Sequence, residues 1–241
     1  MTVGTPTPGA PERDAVRAMF DRIAPRYDLL NHFLSAGVDR RWRRAGVDAL
    51  ALAPGSRLLD LCSGTGDVLV EWLRRDVRNR GVGVDFSPQM LRIGREKLRQ
   101  RGHAGRGALA ITDVASLPFD GCSLDGAIVA FGLRNIAARD GVLRELVRVL
   151  KPGAPFVVLE LGWPRGWLGS IYGLYSTYVL PHIGGRLSGE AAAYAYLPES
   201  ARLFPQPAEM EAELRAAGFT HATSRPLTAG IAWLYRAVKP A

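Results

Sequence analysis

Two glycines, Gly64 and Gly66, follow the apolar run Leu58-Leu59-Asp60-Leu61 and precede the helically spaced Val68, Leu69, Trp72 and Leu73. Strand, tight loop and helix in that order open a nucleotide-binding α/β unit, where glycine lets the backbone approach a ligand closely. The next apolar run, Gly81-Val82-Gly83-Val84, ends in Asp85. That is about 20 residues past the loop, where an acid grips ribose hydroxyls. The loop Gly64-Thr65-Gly66-Asp67 lacks the third glycine of the dinucleotide fingerprint, and Asp67 would repel a pyrophosphate. No Lys-Ser or Lys-Thr follows, which excludes a phosphate-cradling P-loop. A cationic nucleoside such as S-adenosylmethionine, leaving as S-adenosylhomocysteine, fits best. Asp113 and the Val114 amide could read an adenine edge, with Leu117-Pro118-Phe119 packed near the ring. Taken alone, Asp113 would equally serve as a helix cap or loop residue. Phe86 beside Asp85 and Ala130 on the fourth strand complete the expected donor contacts.

These residues need a scaffold, and the hydrophobic pattern supplies one. From Arg57 onward short apolar runs alternate with helical patterns: strands over 57–61, 81–85, 108–111, 124–131 and 155–161, with helices between them. Ser87 and Pro88 read as the N-cap and first position of one helix, and Lys151-Pro152-Gly153 stops another. A helix near 208–217 and runs at 219–224 and 231–238 predict an antiparallel hairpin at the sheet edge. The fold class is α/β: a Rossmann-like, mostly parallel seven-stranded sheet with an antiparallel C-terminal hairpin. Residues 1–11 read as a disordered tail and 12–53 as an N-terminal helical substrate cap, although 27–37 is rich in polar and aromatic groups for a plain helix. Residues 54–241 form the donor-binding core, with an aromatic insertion, 162–204, covering the substrate.

Composition narrows the class. The chain has 241 residues, a net charge of +8 and two cysteines, Cys62 and Cys122. Arginine is scattered rather than gathered on a nucleic-acid face, the histidines are dispersed, and no metal-ligand spacing occurs. No signal peptide and no apolar run of about 18 residues is present. A cytoplasmic protein, peripheral to a membrane at most, is expected; the basic balance suits transient contact with an anionic surface.

The layout from about Pro54 onward resembles class I methyltransferases. The Asn/Asp-Pro-Pro-aromatic run of amino-methylating nucleic-acid enzymes is absent, and Cys122 does not match the nucleophile of cytosine-C5 enzymes. The chain resembles one family closely, the C-methyltransferases of menaquinone and ubiquinone biosynthesis. Its first signature stands as Tyr27, Asp28, Asn31, Ser35, Gly37 and Trp42, and its strand-4 motif as Phe131-Gly132-Leu133-Arg134-Asn135. The second signature runs from Arg148 through Leu159-Glu160. Tyr175, Val179-Leu180-Pro181, Ile183-Gly184, Tyr196 to Ser200, Phe204-Pro205 and Ala217-Gly218-Phe219 also match. Departures are Leu30 for a usual Met, Asp39 for His, Ala154 for Gly, Gly162 for Ser, and Leu234-Tyr235 for an aliphatic-His pair. Several are expected to frame the substrate.

The resemblance implies methylation of a quinol ring carbon, most simply demethylmenaquinol to menaquinol. It implies Arg134 stabilising the developing phenolate, Asn135 orienting a hydroxyl or water, Tyr27 completing the network, and Asp67 as a weaker candidate base. The partner is an isoprenoid quinol or another phenolic or polyketide-like small molecule. The aromatic segment equally suits a subunit interface, which leaves a homodimer open. A nucleic-acid-binding methyltransferase or a non-catalytic ligand-binding protein is the competing reading of the charge.

Overall fold

The computed structural model describes residues 13–164, 166–179, 182 and 191–241. The expected tail and the motif matches at Leu180, Pro181, Ile183 and Gly184 lie outside them. Seven strands form one sheet in the order β3-β2-β1-β4-β5-β7-β6. They are β1 (Arg57–Leu61), β2 (Arg80–Asp85), β3 (Gly107–Ile111), β4 (Gly126–Ala130), β5 (Pro155–Leu161), β6 (Thr220–Leu227) and β7 (Ala232–Val238). The first five pair in parallel, whereas β7 runs antiparallel to both β5 and β6.

Strand periodicity divides the core. Leu58, Ile128 and Val157 point to one face, towards α3 (Val38–Leu50), α4 (Asp67–Leu73) and α5 (Pro88–Gln100). Leu59, Leu61, Val129, Phe156 and Val158 point to the other, towards α6 (Arg139–Val149) and α9 (Pro207–Ala216). Burial on both faces explains why these strands read as near-continuous apolar runs. Local caps agree: Ser87 Oγ accepts the Met90 amide at 3.2 Å, ahead of Pro88 at the first position of α5.

Before the sheet come α1 (Arg13–Ile23), a 3-10 turn containing Pro25, and α2 (Tyr27–Leu34). The 27–37 stretch is therefore helical through Leu34, its polar groups spent on side-chain contacts described below. After β5 come α7 (Gly166–Leu174), a π-helical stretch (Tyr175–Val179) and α8 (Ala191–Leu203). Tyr175 Oη donates to the Leu34 carbonyl at 2.8 Å, fastening this segment to the end of α2.

The third glycine missing from the loop has a substitute. A Cβ on Gly81 of β2 would lie 2.5 Å from Leu69 Cδ1, so the clearance that lets α4 lie on the sheet comes from the strand.

Candidate active site

The strand order reverses between β1 and β4, and the crevice beyond their carboxyl ends is the ligand position of an open α/β sheet. Both strands end in strain: Cys62 and Phe131 hold φ of 54° and 60°. A Cβ on Gly132 would collide with Cys62 Cβ, so the two loops meet only because residue 132 is glycine. Two adjoining cavities open here.

The first, about 280 Å³, is lined by Gly64, Asp85, Phe86, Asp113, Val114 and Ala130, six of the residues expected to hold the donor. The Gly64 amide donates to Asp85 Oδ2 at 2.8 Å and the Ser87 amide to Oδ1 at 2.9 Å, leaving acceptor capacity for a diol. Burial raises the Asp85 carboxyl above its ordinary range against the pull of these amides. Asp85 and Asp113 are acidic, and no Lys or Arg stands among the residues described in the lining. That polarity suits a cationic ligand.

Several expectations are corrected here. Thr65 and Gly66 do not line this cavity; the Thr65 hydroxyl turns to Asp28 Oδ1 at 2.5 Å, and Gly66, with φ of 78°, is the N-cap of α4. Asp67 lines neither cavity. It binds Lys97 Nζ at 2.5 Å and lies 3.7 Å from Arg43. Burial opposes its ionisation, but Arg43 and Lys97 hold its carboxyl below the usual range. The structure thus places Asp67 with Lys97 and Arg43 and not in the described lining of either cavity, where the acids on the donor side are Asp85 and Asp113. Leu117 and Phe119 pack into the main core instead of beside this cavity.

The second cavity, about 310 Å³, is lined by Asn31, Asp39, Trp42, Arg43, Arg134, Tyr172, Tyr175 and Tyr196, among others. Phe20, Tyr27 and Phe131 line both cavities and so mark their junction. Enclosure pushes the Tyr27 phenol above its ordinary value of 10, although Arg43 and Arg134 pull it down. At neutral pH it is a hydrogen-bond donor, not a phenolate base. The side chain of Arg134 is 5 % exposed and pairs at 2.6 Å with Glu160, which is fully buried. It also donates to the Phe131 carbonyl, and its Nε to Ser200 Oγ at 3.3 Å. Arg134 therefore anchors the β4 loop while facing the second cavity. Asn135, next along the 3-10 turn, lines the first cavity and accepts Tyr196 Oη at 2.9 Å.

Sequence reading missed Arg43 and gave Glu160 no role. Arg43 lies in the run Arg40-Arg41-Trp42-Arg43-Arg44, whose composition suits a solvated helix face, yet it is buried, bonded to Asp39, and stands 5.7 Å from the Phe131 ring centre. Its neighbours in sequence, Arg40 and Arg44, are exposed, and i,i+4 spacing from Asp39 was the available signal. Among the departures, only Asp39 lines the second cavity. Leu30, Ala154, Leu234 and Tyr235 are core residues, and Gly162 leaves room for Trp233 and the Gly230 carbonyl. Burial, with nearby Asp85, Asp60 and Glu160, pushes the Cys62 thiol well up, so it is no nucleophile.

A sheet of this order with an acidic pocket at its switch point defines a class I, S-adenosylmethionine-dependent methyltransferase. The ubiE/COQ5 methyltransferase family matches residues 9–239, and the chain belongs to it. It is 47% identical over 220 residues to the ubiquinone/menaquinone biosynthesis C-methyltransferase UbiE of Syntrophotalea carbinolica, covering 91% of this chain and 92% of that one. It is 46% identical to the demethylmenaquinone methyltransferase of Thermus thermophilus, covering 92% and 100%. Among solved structures, the cyclase SpnF aligns over the full length of both chains with a TM-score of 0.73 at 19% identity. A SAM-dependent methyltransferase from Thermotoga maritima aligns at 0.64 and 20%, covering 92% of this chain and 98% of that one. Likeness at such identity speaks for the fold alone.

Proposed function

We propose that the chain methylates a ring carbon of demethylmenaquinol, giving menaquinol. The observation that carries this reading is the junction at Tyr27 and Phe131, where an acidic pocket meets an aromatic one holding two buried arginines. S-adenosylmethionine supplies a sulfonium methyl; the ring carbon takes it, the C–S electron pair stays on sulfur, and one proton leaves the ring. Arg134, whose partner Glu160 is not in the cavity lining, presents the positive end of its ion pair to the ionised quinol, and Tyr27 donates to the quinol oxygen. Tyr172, Tyr175 and Tyr196 wall the ring, and Asn135 is held by Tyr196 on the donor side. Among the described side chains lining the second cavity the only carboxylate is Asp39, and it is bonded to Ser35, His32 and Arg43.

The names of the two relatives support a quinol acceptor, the Thermus enzyme's a naphthoquinol. The decisive assay offers labelled donor with demethylmenaquinol, a demethylated benzoquinol and a tailless phenolic naphthoate, with mass analysis of products. Methylation of the naphthoate alone would replace the quinol by another phenolic acceptor. Arg134→Lys keeps the charge opposite Glu160 but cannot reach both loop partners; donor binding should persist while turnover falls at least about tenfold.

A lipid-tailed acceptor also gives the outer wall of this cavity a role. Tyr172 and Tyr175 face the cavity, whereas Trp167, Ile171, Leu174 and Tyr178, spaced 4, 3 and 4 apart on the same helical segment, are each more than half exposed. Leu29 and Phe33 of α2 are exposed likewise. Such a helix, apolar on both sides and in a chain of net charge +8, suits an anionic lipid surface. No helix of the described residues is long and apolar enough to cross a membrane. Trp167→Ser/Ile171→Ser should abolish sedimentation with phosphatidylglycerol vesicles; a shift from dimer to monomer instead would assign the face to a second copy of the chain.

A further inference from the structure

Lys97 of α5 lines neither cavity, yet it joins the elements that build both. Its Nζ donates to Asp28 Oδ2 at 2.6 Å, to Asp67 Oδ1 at 2.5 Å and to Thr65 Oγ1 at 3.1 Å. The Thr65 hydroxyl in turn donates to Asp28 Oδ1 at 2.5 Å. Asp28 adjoins Tyr27 at the junction, and Thr65 adjoins Gly64, whose amide holds Asp85 in the donor pocket. The chain of contacts continues from Asp67 towards Arg43 and from Arg43 to Asp39 in the acceptor wall.

The cluster is mostly enclosed: Lys97, Asp28 and Asp67 side chains are 19, 28 and 22 % exposed. One ammonium thus holds two carboxylates from different elements. Without it, Asp28 and Asp67, which with Lys97 line a further cavity of about 540 Å³, would repel each other and loosen α2 from the donor loop. The donor loop bears on the cap through Thr65 as well, so a change at Gly64 reaches Asp28 across one side chain.

We propose that Lys97 is a positioning residue that couples occupancy of the donor pocket to the placement of α2, and so of Tyr27 at the methyl-transfer junction. The kinetic part of this inference rests on the proposed function; the coupling itself does not.

The test follows amide hydrogen exchange of α2 with and without S-adenosylhomocysteine, beside donor affinity and turnover. In the native protein S-adenosylhomocysteine should slow α2 exchange by about tenfold or more, the signature of a binding-linked local opening. K97M should bind S-adenosylhomocysteine within about threefold of native, yet show less than about a twofold α2 response, with kcat down roughly 30-fold. K97R should restore most of both. A lysine that only stabilises the fold would lower the melting temperature and leave the ligand-linked α2 response intact, and that result overturns the proposal. So does a native protein whose α2 does not respond. If K97M fails to fold, D28N/K97M removes one of the two stranded carboxylates, leaving Asp67 beside Arg43, and carries the same measurement. An α2 response that depends on Lys97 in a protein that methylates no quinol would overturn the proposed function and leave the coupling standing.

Discussion

The two cavities meet at Phe20, Tyr27 and Phe131 but are built differently. The donor pocket is built mainly on the carboxyl ends and following turns of β1, β2, β3 and β4, where Asp85 holds two backbone amides, and Val16, Phe20, Tyr27, Met90 and Val142 of flanking helices complete its lining. The acceptor pocket is lined by side chains from α1, α2, α3, the β4 turn, α7, α8 and the β6–β7 turn. Their electrostatics differ too. Asp85 and Asp113 line the donor pocket, whose described lining holds no Lys or Arg, whereas Arg43 and Arg134 line the acceptor pocket, paired with Asp39 and Glu160. Backbone sites tolerate side-chain change; a site made of buried ion pairs does not.

That contrast can be broken experimentally. The largest effect is expected on the acceptor side: Arg134→Met strands the buried Glu160 and should cost about 3–5 kcal/mol in denaturant unfolding. A loss below about 1 kcal/mol would mean that Glu160 finds another partner. Next, Asp85→Ala removes the acceptor of the Gly64 and Ser87 amides and should weaken S-adenosylhomocysteine by about 100-fold in calorimetry, while quinol-analogue binding stays unchanged. Tyr27→Phe removes only a hydroxyl at the junction. Turnover should fall roughly 30-fold with donor affinity kept, and an equal loss of both would place Tyr27 on the donor side.

The smallest effect concerns Asp60, which burial pushes from 3.8 up to about 7 despite a 2.6 Å bond from Ser63 Oγ. Here the folded state holds the proton that the unfolded chain has already released. Stability should therefore fall as pH rises between about 4 and 7, by about 1–2 kcal/mol across the upper part of that window, and level off above it. Asp60→Asn should flatten the slope in midpoints measured at pH 5 and 7.5.

How far the sequence could be read follows the same division. β1 and β5 were legible to the residue, and Ser87-Pro88 announced the start of α5, because local pattern and cap chemistry act within a few residues. Asp85 and Asp113 were readable from their places after strands. Asp67 misled for the opposite reason: its position at the loop is local, but its partners Lys97 and Arg43 come from helices 30 and 24 residues away in the chain. The segment after β5 carried aromatic residues without a clear period, and its helices gain their order from packing against α2 and the β4 turn.

By itself, then, the sequence determined the order of strands and helices, the glycine loop, the acid that ends β2 and the motifs of the family. Hydrophobic periodicity and turn chemistry are short-range, so one chain read in order contains them. Only the tertiary structure decided which charges are neutralised. It paired Arg134 with Glu160 and Arg43 with Asp39, and it turned Thr65 and Asp67 away from the donor pocket towards Lys97. The physical reason is that the energy of a charge depends on burial and on partners within a few ångströms, and neither is written along the chain.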